Sequence, residues 1–235
     1  MASTIKLTLV AALFAVTGGV AQAATVQNGS FDEIGDFTGI TDGDSNGQTL
    51  SELQAGIGGT WDVYSTLPGG WTTTSGGGIE LQTKATLGVT PHSGPFYVEL
   101  DSETYLGQNG QVQSNSSMEQ LLGDLAPGHY QLSFWYRARN KQLNTNGVSV
   151  EIYNGALSEQ LVVSNNTTSW VEYVFGFEVL DGSGPLTLKF SAAGNSDEYG
   201  GFIDTVSITA VPVPAPALLL LGALAGLGAL RRTRS

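Results

Sequence analysis

The chain has 235 residues, 32 of them glycine and none cysteine, with 9 Lys+Arg against 21 Asp+Glu. That length suits one large β domain or two small ones, and the lack of cysteine excludes a disulfide scaffold, a Cys-ligated zinc or iron–sulfur centre and a thiol nucleophile. Lys6, Arg231, Arg232 and Arg234 lie in the terminal segments, so five cations face all 21 acids in between, a net −16; such a body repels phosphate backbones, and nucleic-acid binding is excluded.

Residues 1–23 have a positive start at Lys6, an apolar run from Leu7 to Val16 broken only by Thr8, and the small-residue stretch Ala21-Gln22-Ala23. That order predicts a secretory signal peptide cleaved after Ala23, with Ala21 and Ala23 as the cleavage determinants. The folded body is then expected over 24–210, long enough to bury roughly 70% of its unfolded surface without disulfides.

Along the body, residues 35–58 carry little pattern and read as an elaborated loop, apart from a short helix over Thr49–Gln54 stopped by Gly56. Weak strand signals follow at Thr60–Ser65, Gly78–Thr83 and Ser117–Leu122, and a clearer one where Phe96, Val98 and Leu100 alternate with Tyr97, Glu99 and Asp101. The second half alternates strongly: Tyr130 to Arg137, Val148 to Ile152, Val171 to Val179, Leu186 to Phe190 and Thr205 to Thr209. Period two marks strands with one buried and one wet face. Asn-Gly pairs at 28–29, 46–47, 109–110, 146–147 and 154–155 supply turn chemistry. About nine strands, many turns and no helical periodicity predict an all-β chain, an antiparallel β-sandwich or jelly roll.

Five motifs in order give the body a resemblance. They are Asn28-Gly29-Ser30-Phe31-Asp32, Leu67-Pro68-Gly69-Gly70-Trp71, Tyr97-Val98-Glu99-Leu100-Asp101, Gly128-His129-Tyr130-Gln131-Leu132-Ser133-Phe134 and Gly201-Phe202-Ile203-Asp204-Thr205-Val206. This order is similar to galactose-binding-like jelly rolls of carbohydrate-binding modules. Asp32 stands where that family usually has Glu, and Thr205 where it often has Asn. The resemblance implies a noncatalytic sandwich, often with a structural calcium joining the first and last strands.

From Ala210 to Leu230 the chain has no charged or hydrogen-bonding side chain. At about 1.5 Å per residue a helix of that length would reach roughly 30 Å, the thickness of a hydrocarbon core. Pro212, Pro214 and Pro216 confine the reliable helix to Ala217–Leu230, a short span. Arg231, Arg232 and Arg234 are expected to stay cytoplasmic. Val211-Pro212-Val213-Pro214-Ala215, then a Leu/Ala/Gly helix, then a terminal Arg cluster resembles the VPLPA-CTERM variant of PEP-CTERM sorting signals, with Val213 where Leu is usual. The resemblance implies a Gram-negative bacterial protein that sits transiently in the inner membrane. An exosortase-type peptidase would remove its tail and deliver it to the cell surface or exopolysaccharide matrix.

Several residue groups are candidates for chemistry. Asp204 shares strand parity with Val206 and Ile208 and is expected to point toward the core, where a lone carboxylate is costly. It either ligates Ca²⁺ with Asp32 and backbone carbonyls or accepts backbone hydrogen bonds at a strand end. Asp42, Asp44 and Asn46 follow the first half of an EF-hand loop, but its bidentate Glu position falls on Leu53, which leaves a looser calcium loop or a solvated turn. Gly43-Asp44-Ser45-Asn46-Gly47 also fits a nucleophile elbow, without the strand and helix that chemistry needs. His92 and His129 read as solvated turn histidines, with no support for a catalytic triad. Glu99 and Asp101 share a strand face at the spacing of a glycosidase pair, or lie on a solvated face by chance.

Carbohydrate binding requires exposed aromatics beside amides and charges. Trp135 lies on the polar side of its strand with Gln131 and Arg137, and Tyr153, Tyr105 and Trp61 are further candidates; Trp71 belongs in the core. The reading is an exported, noncatalytic polysaccharide-binding sandwich. Its alternatives are a structural or adhesive matrix protein with a cation-bridged acidic surface, or a secreted glycosidase or esterase.

Overall fold

The computed structural model describes residues 26–41, 45–106, 112–142, 144–155 and 158–212. The signal segment 1–23, the residues from 213 onward with the rest of the sorting motif (Val213, Pro214, Ala215, Arg231, Arg232), and Asp42 and Asp44 of the acidic loop lie outside them. Among the described residues no helix is long and apolar enough to cross a membrane.

Fourteen strands occur among these residues. They are β1 (Trp61–Tyr64), β2 (Thr66–Leu67), β3 (Trp71–Ser75), β4 (Ile79–Thr83), β5 (Phe96–Glu99), β6 (Asp101–Leu106) and β7 (Val112–Asn115). Then come β8 (Ser117–Gly123), β9 (Gly128–Arg137), β10 (Gly147–Tyr153), β11 (Ser158–Ser164), β12 (Val171–Val179), β13 (Leu186–Ala192) and β14 (Phe202–Ala210). One sheet runs β1-β4-β5-β14-β9-β12, the other β11-β10-β13-β8-β3-β2, and β6-β7 form a separate ribbon. Every pairing is antiparallel. The chain is an all-β antiparallel sandwich, as its alternation predicts.

The alternating apolar residues meet between the sheets. Leu132, Phe134 and Tyr136 of β9 face Val148, Val150 and Ile152 of β10 and Leu186, Leu188 and Phe190 of β13 in one buried cluster. Phe134 meets Phe190 edge-on across the interface, ring centroids 5.3 Å apart. Trp71 is fully buried, as expected, between Phe31 at 5.7 Å and Phe190 at 6.1 Å. Its indole N–H donates to the carbonyls of Gln27 (3.1 Å) and Asn28 (3.3 Å), so the first turn is fastened to the core. That turn uses Asn28 at φ 47 and Phe31 at φ 57, a strain that the Trp71 anchor helps to hold.

The short helix appears as α1 (Leu50–Ala55), with Thr49 and Glu52 in a capping box and Gly56 closing it at φ 69. A second, α2 (Lys84–Leu87), was not predicted. The loop expected over 35–58 is held to β1, where the buried carboxylate of Asp62 accepts from Ser45 Oγ (2.8 Å) and Gln48 N (2.5 Å), so Ser45 is a loop tether rather than a nucleophile.

The sandwich has more strands than predicted because β3 and the edge strand β11 lack a clear period. In β11 only Val163 is buried, and β3 buries Trp71 while its threonines are partly or fully exposed. The strand expected over Phe96–Asp101 ends at Glu99, and Asp101 opens β6. Asn146, expected in a turn, is fully buried and binds the Arg139 backbone N–H through Oδ1 at 2.8 Å.

Candidate functional site

The outer face of the sheet containing β9 is where chemistry collects. In register across it, Glu80 of β4 lies opposite Glu99 of β5, which lies opposite Phe202 of β14 and then Arg137 of β9. A second row sets Gln82 against Tyr97, and Asp204 against Trp135 and Glu172. Pairs directly opposite in an antiparallel sheet share a face, with Cβ atoms about 4.5–5.5 Å apart. Trp135 and Arg137, predicted together on this face, are together.

Trp135 is half-buried, and the exposed His92 ring lies flat on it at 3.8 Å, 15° from parallel. His92 is thus an aromatic partner rather than a free turn side chain; its Nδ1 is 2.8 Å from Thr205 Oγ1, and partial burial lowers its pKa. Trp170 continues the shelf, with its ring edge-on to His92 at 6.3 Å and its Nε1 donating to the Thr90 carbonyl at 2.8 Å. Tyr97 packs against Phe202 at 4.7 Å with the rings tilted by 52°, and the Arg137 guanidinium sits 5.8 Å above the Phe202 ring.

Beside the shelf lies a buried ionic network. Glu99 is wholly buried and takes both carboxylate oxygens to Arg139 Nη1 at 2.8 Å. Gly200 N donates to it at 2.6 Å, and Gln82 Nε2 donates to Glu99 Oε2 at 2.5 Å and to Glu80 Oε1 at 2.6 Å. Tyr97 Oη donates to Gln82 Oε1 at 2.9 Å. Burial, then the neighbouring Glu80, pushes the Glu99 carboxyl well above its usual range, and Arg139 opposes both. The Glu99–Asp101 pair expected on one strand face does not exist. The strand breaks at Leu100, and Asp101 instead accepts from the backbone of Asp197 (3.3 Å) and Tyr199 (3.1 Å).

Asp204 is buried, but not on the core side. Between Asp204↔Trp135 and Ser207↔Ser133 the last strand carries one residue more than β9. This bulge, with Thr205 at φ 51, turns Asp204 to the face of Trp135 while Val206 and Ile208 stay inward. Asp204 Oδ2 accepts from Ser93 N (3.0 Å) and Oδ1 from Thr205 N (2.6 Å), the hydrogen-bonded strand end of the second expectation. Burial still raises its pKa to about 7. Asp32 does come to the same place: its Oδ2 is 3.5 Å from Ser93 Oγ, and its Oδ1 is buried with no donor.

Other predicted residues separate. Gln131 is exposed on β9 opposite Gly176 and Thr209. Tyr153 belongs to the other sheet's outer face, where its hydroxyl donates to Glu119 Oε2 at 2.8 Å. His129 is an exposed strand residue in β9, opposite Glu178, not a turn. Trp61 is half-buried on edge strand β1, Asn46 stands apart beside Gly59, and the Tyr105 side chain lies outside the described residues. Sequence reading missed Trp170, Arg139 and Tyr199; Trp170 stands just before β12 and Arg139 just after β9, beyond the reach of alternation.

No protein-family model matches the chain, and no curated protein does. Among solved structures, it is similar to a cyclase from Fischerella sp. TAU at 15% identity and TM-score 0.51, over 83% of this chain and 100% of that one. TmCBM61 in complex with β-1,4-galactotriose aligns at 17% identity and TM-score 0.41, over 68% and 94%. CBM35 from Paenibacillus barcinonensis aligns at 20% identity and TM-score 0.39, over 65% and 100%. What the first of these establishes is the sandwich fold.

Proposed function

We propose that the chain is an exported, noncatalytic protein of the cell surface or extracellular matrix whose sandwich binds carbohydrate. The observation that carries this reading is the Trp135–His92–Trp170 shelf, flanked by Arg137 and Glu172. Flat aromatic rings offer an apolar surface to the C–H face of a sugar ring, and adjacent charged groups bind its hydroxyls. A noncatalytic role is supported by Glu99, which is enclosed and held by Arg139 and so cannot reach a glycosidic bond. The signal segment and the VPLPA-CTERM-like tail support export, transient residence in the inner membrane and processing by an exosortase-type peptidase. On a glycan array the full-length chain is expected to retain a polysaccharide class without releasing product; cleavage of the bound glycan would refute the reading.

Structural calcium at Asp32 and Asp204 belongs to the same proposal. The donor-free Asp32 Oδ1 and the buried Asp204 carboxylate fit a hard cation, with backbone carbonyls completing the shell. Among the described residues no three Asp, Glu or His side chains cluster, so two side chains would be the protein's charged contribution. EDTA is expected to lower the melting temperature by several degrees, and Asp204→Asn to reduce that response; a melting temperature indifferent to EDTA would dismiss the ion. The acidic body, net −16 between the termini, also suits a matrix component bridged by divalent cations.

A further inference from the structure

A second cluster of oxygens lies where the β6-β7 ribbon meets the loops at 139–146 and 193–200. Asp101 and Asn115 are directly opposite in the ribbon. Ser114 Oγ donates to Asp101 Oδ1, and Ser114 N donates to Ser196 Oγ at 2.6 Å, which ties the 193–200 loop to the ribbon. Asn115 Nδ2 donates to the Gly194 carbonyl at 3.0 Å. Gly194 itself lies against the other loop, so close that a Cβ on it would stand 2.1 Å from the Thr145 carbonyl oxygen. The Asp197 carboxyl faces both the Asp101 carboxyl and the Thr145 hydroxyl.

Six buried side-chain atoms among the described residues have no hydrogen-bond partner, and three belong to this cluster: Asn115 Oδ1, Thr145 Oγ1 and Asp197 Oδ1. Thr145 is only 2% exposed, and its hydroxyl lies toward the Asp197 carboxyl, whose charged form it favours, without the geometry of a full hydrogen bond. Donors already reach both Asp101 oxygens, Ser114 Oγ at Oδ1 and the backbone of Asp197 and Tyr199 at Oδ2, but none reaches Asp197 Oδ1. A proton would serve the carboxyls and still leave Asn115 Oδ1, which can only accept, without a donor. A cation serves all of them at once. The donors are two carboxylates, an amide carbonyl and a hydroxyl, with no nitrogen or sulfur, which is the chemistry of Ca²⁺ rather than of zinc.

We propose that Asp101, Asp197, Asn115 and Thr145 form a calcium-binding site, separate from the Asp32–Asp204 pair. Its ion fastens the loop that carries Tyr199 and Glu198. The Glu198 carbonyl accepts from Arg139 Nη1 at 2.7 Å, and the Tyr199 ring lies 4.7 Å from the Arg139 guanidinium. The site does not depend on carbohydrate binding.

Calcium titration of the chelator-stripped full-length chain tests it, followed by calorimetry, with wild type, Asp197→Asn, Thr145→Val and Asp204→Asn compared. Asp197→Asn is expected to weaken one binding event at least tenfold, and Thr145→Val to weaken the same event by less. In EDTA, Asp197→Asn is expected to melt above wild type, because the carboxyl–carboxyl repulsion is gone; with saturating Ca²⁺ the order reverses. A wild type that binds no calcium overturns the proposal. So does calcium binding lost in Asp204→Asn yet unchanged in Asp197→Asn, which would leave only the Asp32–Asp204 ion.

Discussion

Replacing Arg139 by alanine is expected to destabilise the protein by about 3–5 kcal/mol, the cost of leaving a buried charge without its partner. Arg139 is the ion-pair partner of Glu99, whose side chain has no solvent exposure. Glu80, directly opposite in the sheet, adds like-charge repulsion once the guanidinium is gone. The loss has a signed pH dependence. Glu99 binds its proton more tightly in the folded chain than in the unfolded one, so its contribution is most favourable below the ordinary carboxyl range and is lost as pH rises above it. Removing Arg139 pushes the folded pKa higher still, so the variant's deficit grows between pH 5 and pH 8. Urea unfolding at both values measures it, and Arg139→Ala combined with Glu99→Gln is expected to recover part of the loss at pH 8. A deficit that is equal at the two pH values would show that packing, not the uncompensated carboxylate, is what Arg139 provides.

Trp71→Ala is expected to cost a further class of stability, about 3–5 kcal/mol for a large aromatic removed from a closed core. The side chain fills the space between Phe31 and Phe190. Its indole N–H also satisfies the Gln27 and Asn28 carbonyls. The first turn therefore loses its attachment along with the core contact, and with it the seat of Asp32. Chemical denaturation measures the stability change, and hydrogen exchange at residues 26–32 reports the turn: protection there is expected to fall further than in β9. A variant with wild-type protection in that turn would mean that the turn is held by other contacts, such as Asn28 Nδ2 donating to the Pro68 carbonyl at 3.1 Å.

The sheet framework was legible because burial obeys period two along the long strands. The nine residues of β12 and the core positions of β9, β10 and β13 follow the alternation of Val, Leu, Tyr and Phe directly. Alternation failed where a loop covers the far face. Tyr97 and Glu99 have the parity of a wet face, yet both are fully buried because Trp170, Arg139 and the loop before Phe202 lie over them. Asp204 shows a second kind of failure. Counting in twos from Val206 sends it inward, and one bulged residue reverses the count. The same limit separated Tyr153 from Trp135: each is half-buried on the outer side of its own strand, but which sheet a strand joins is a long-range fact. The approach of Asp32 to Asp204 was legible because the first strand was expected to pair near the last; that segment is a turn rather than a strand, and the Val206 backbone N–H donates to its Gly29 carbonyl at 2.7 Å.

The two outer faces also give the most direct test of carbohydrate recognition. A polysaccharide retained by the wild-type chain is titrated against Trp135→Ala and, separately, Tyr153→Ala. Loss of Trp135 removes the ring on which His92 rests, so binding is expected to fall at least tenfold, whereas Tyr153→Ala on the opposite sheet leaves the affinity within a factor of two. Equal affinity for Trp135→Ala and wild type, or loss confined to Tyr153→Ala, would contradict the assignment of the binding face.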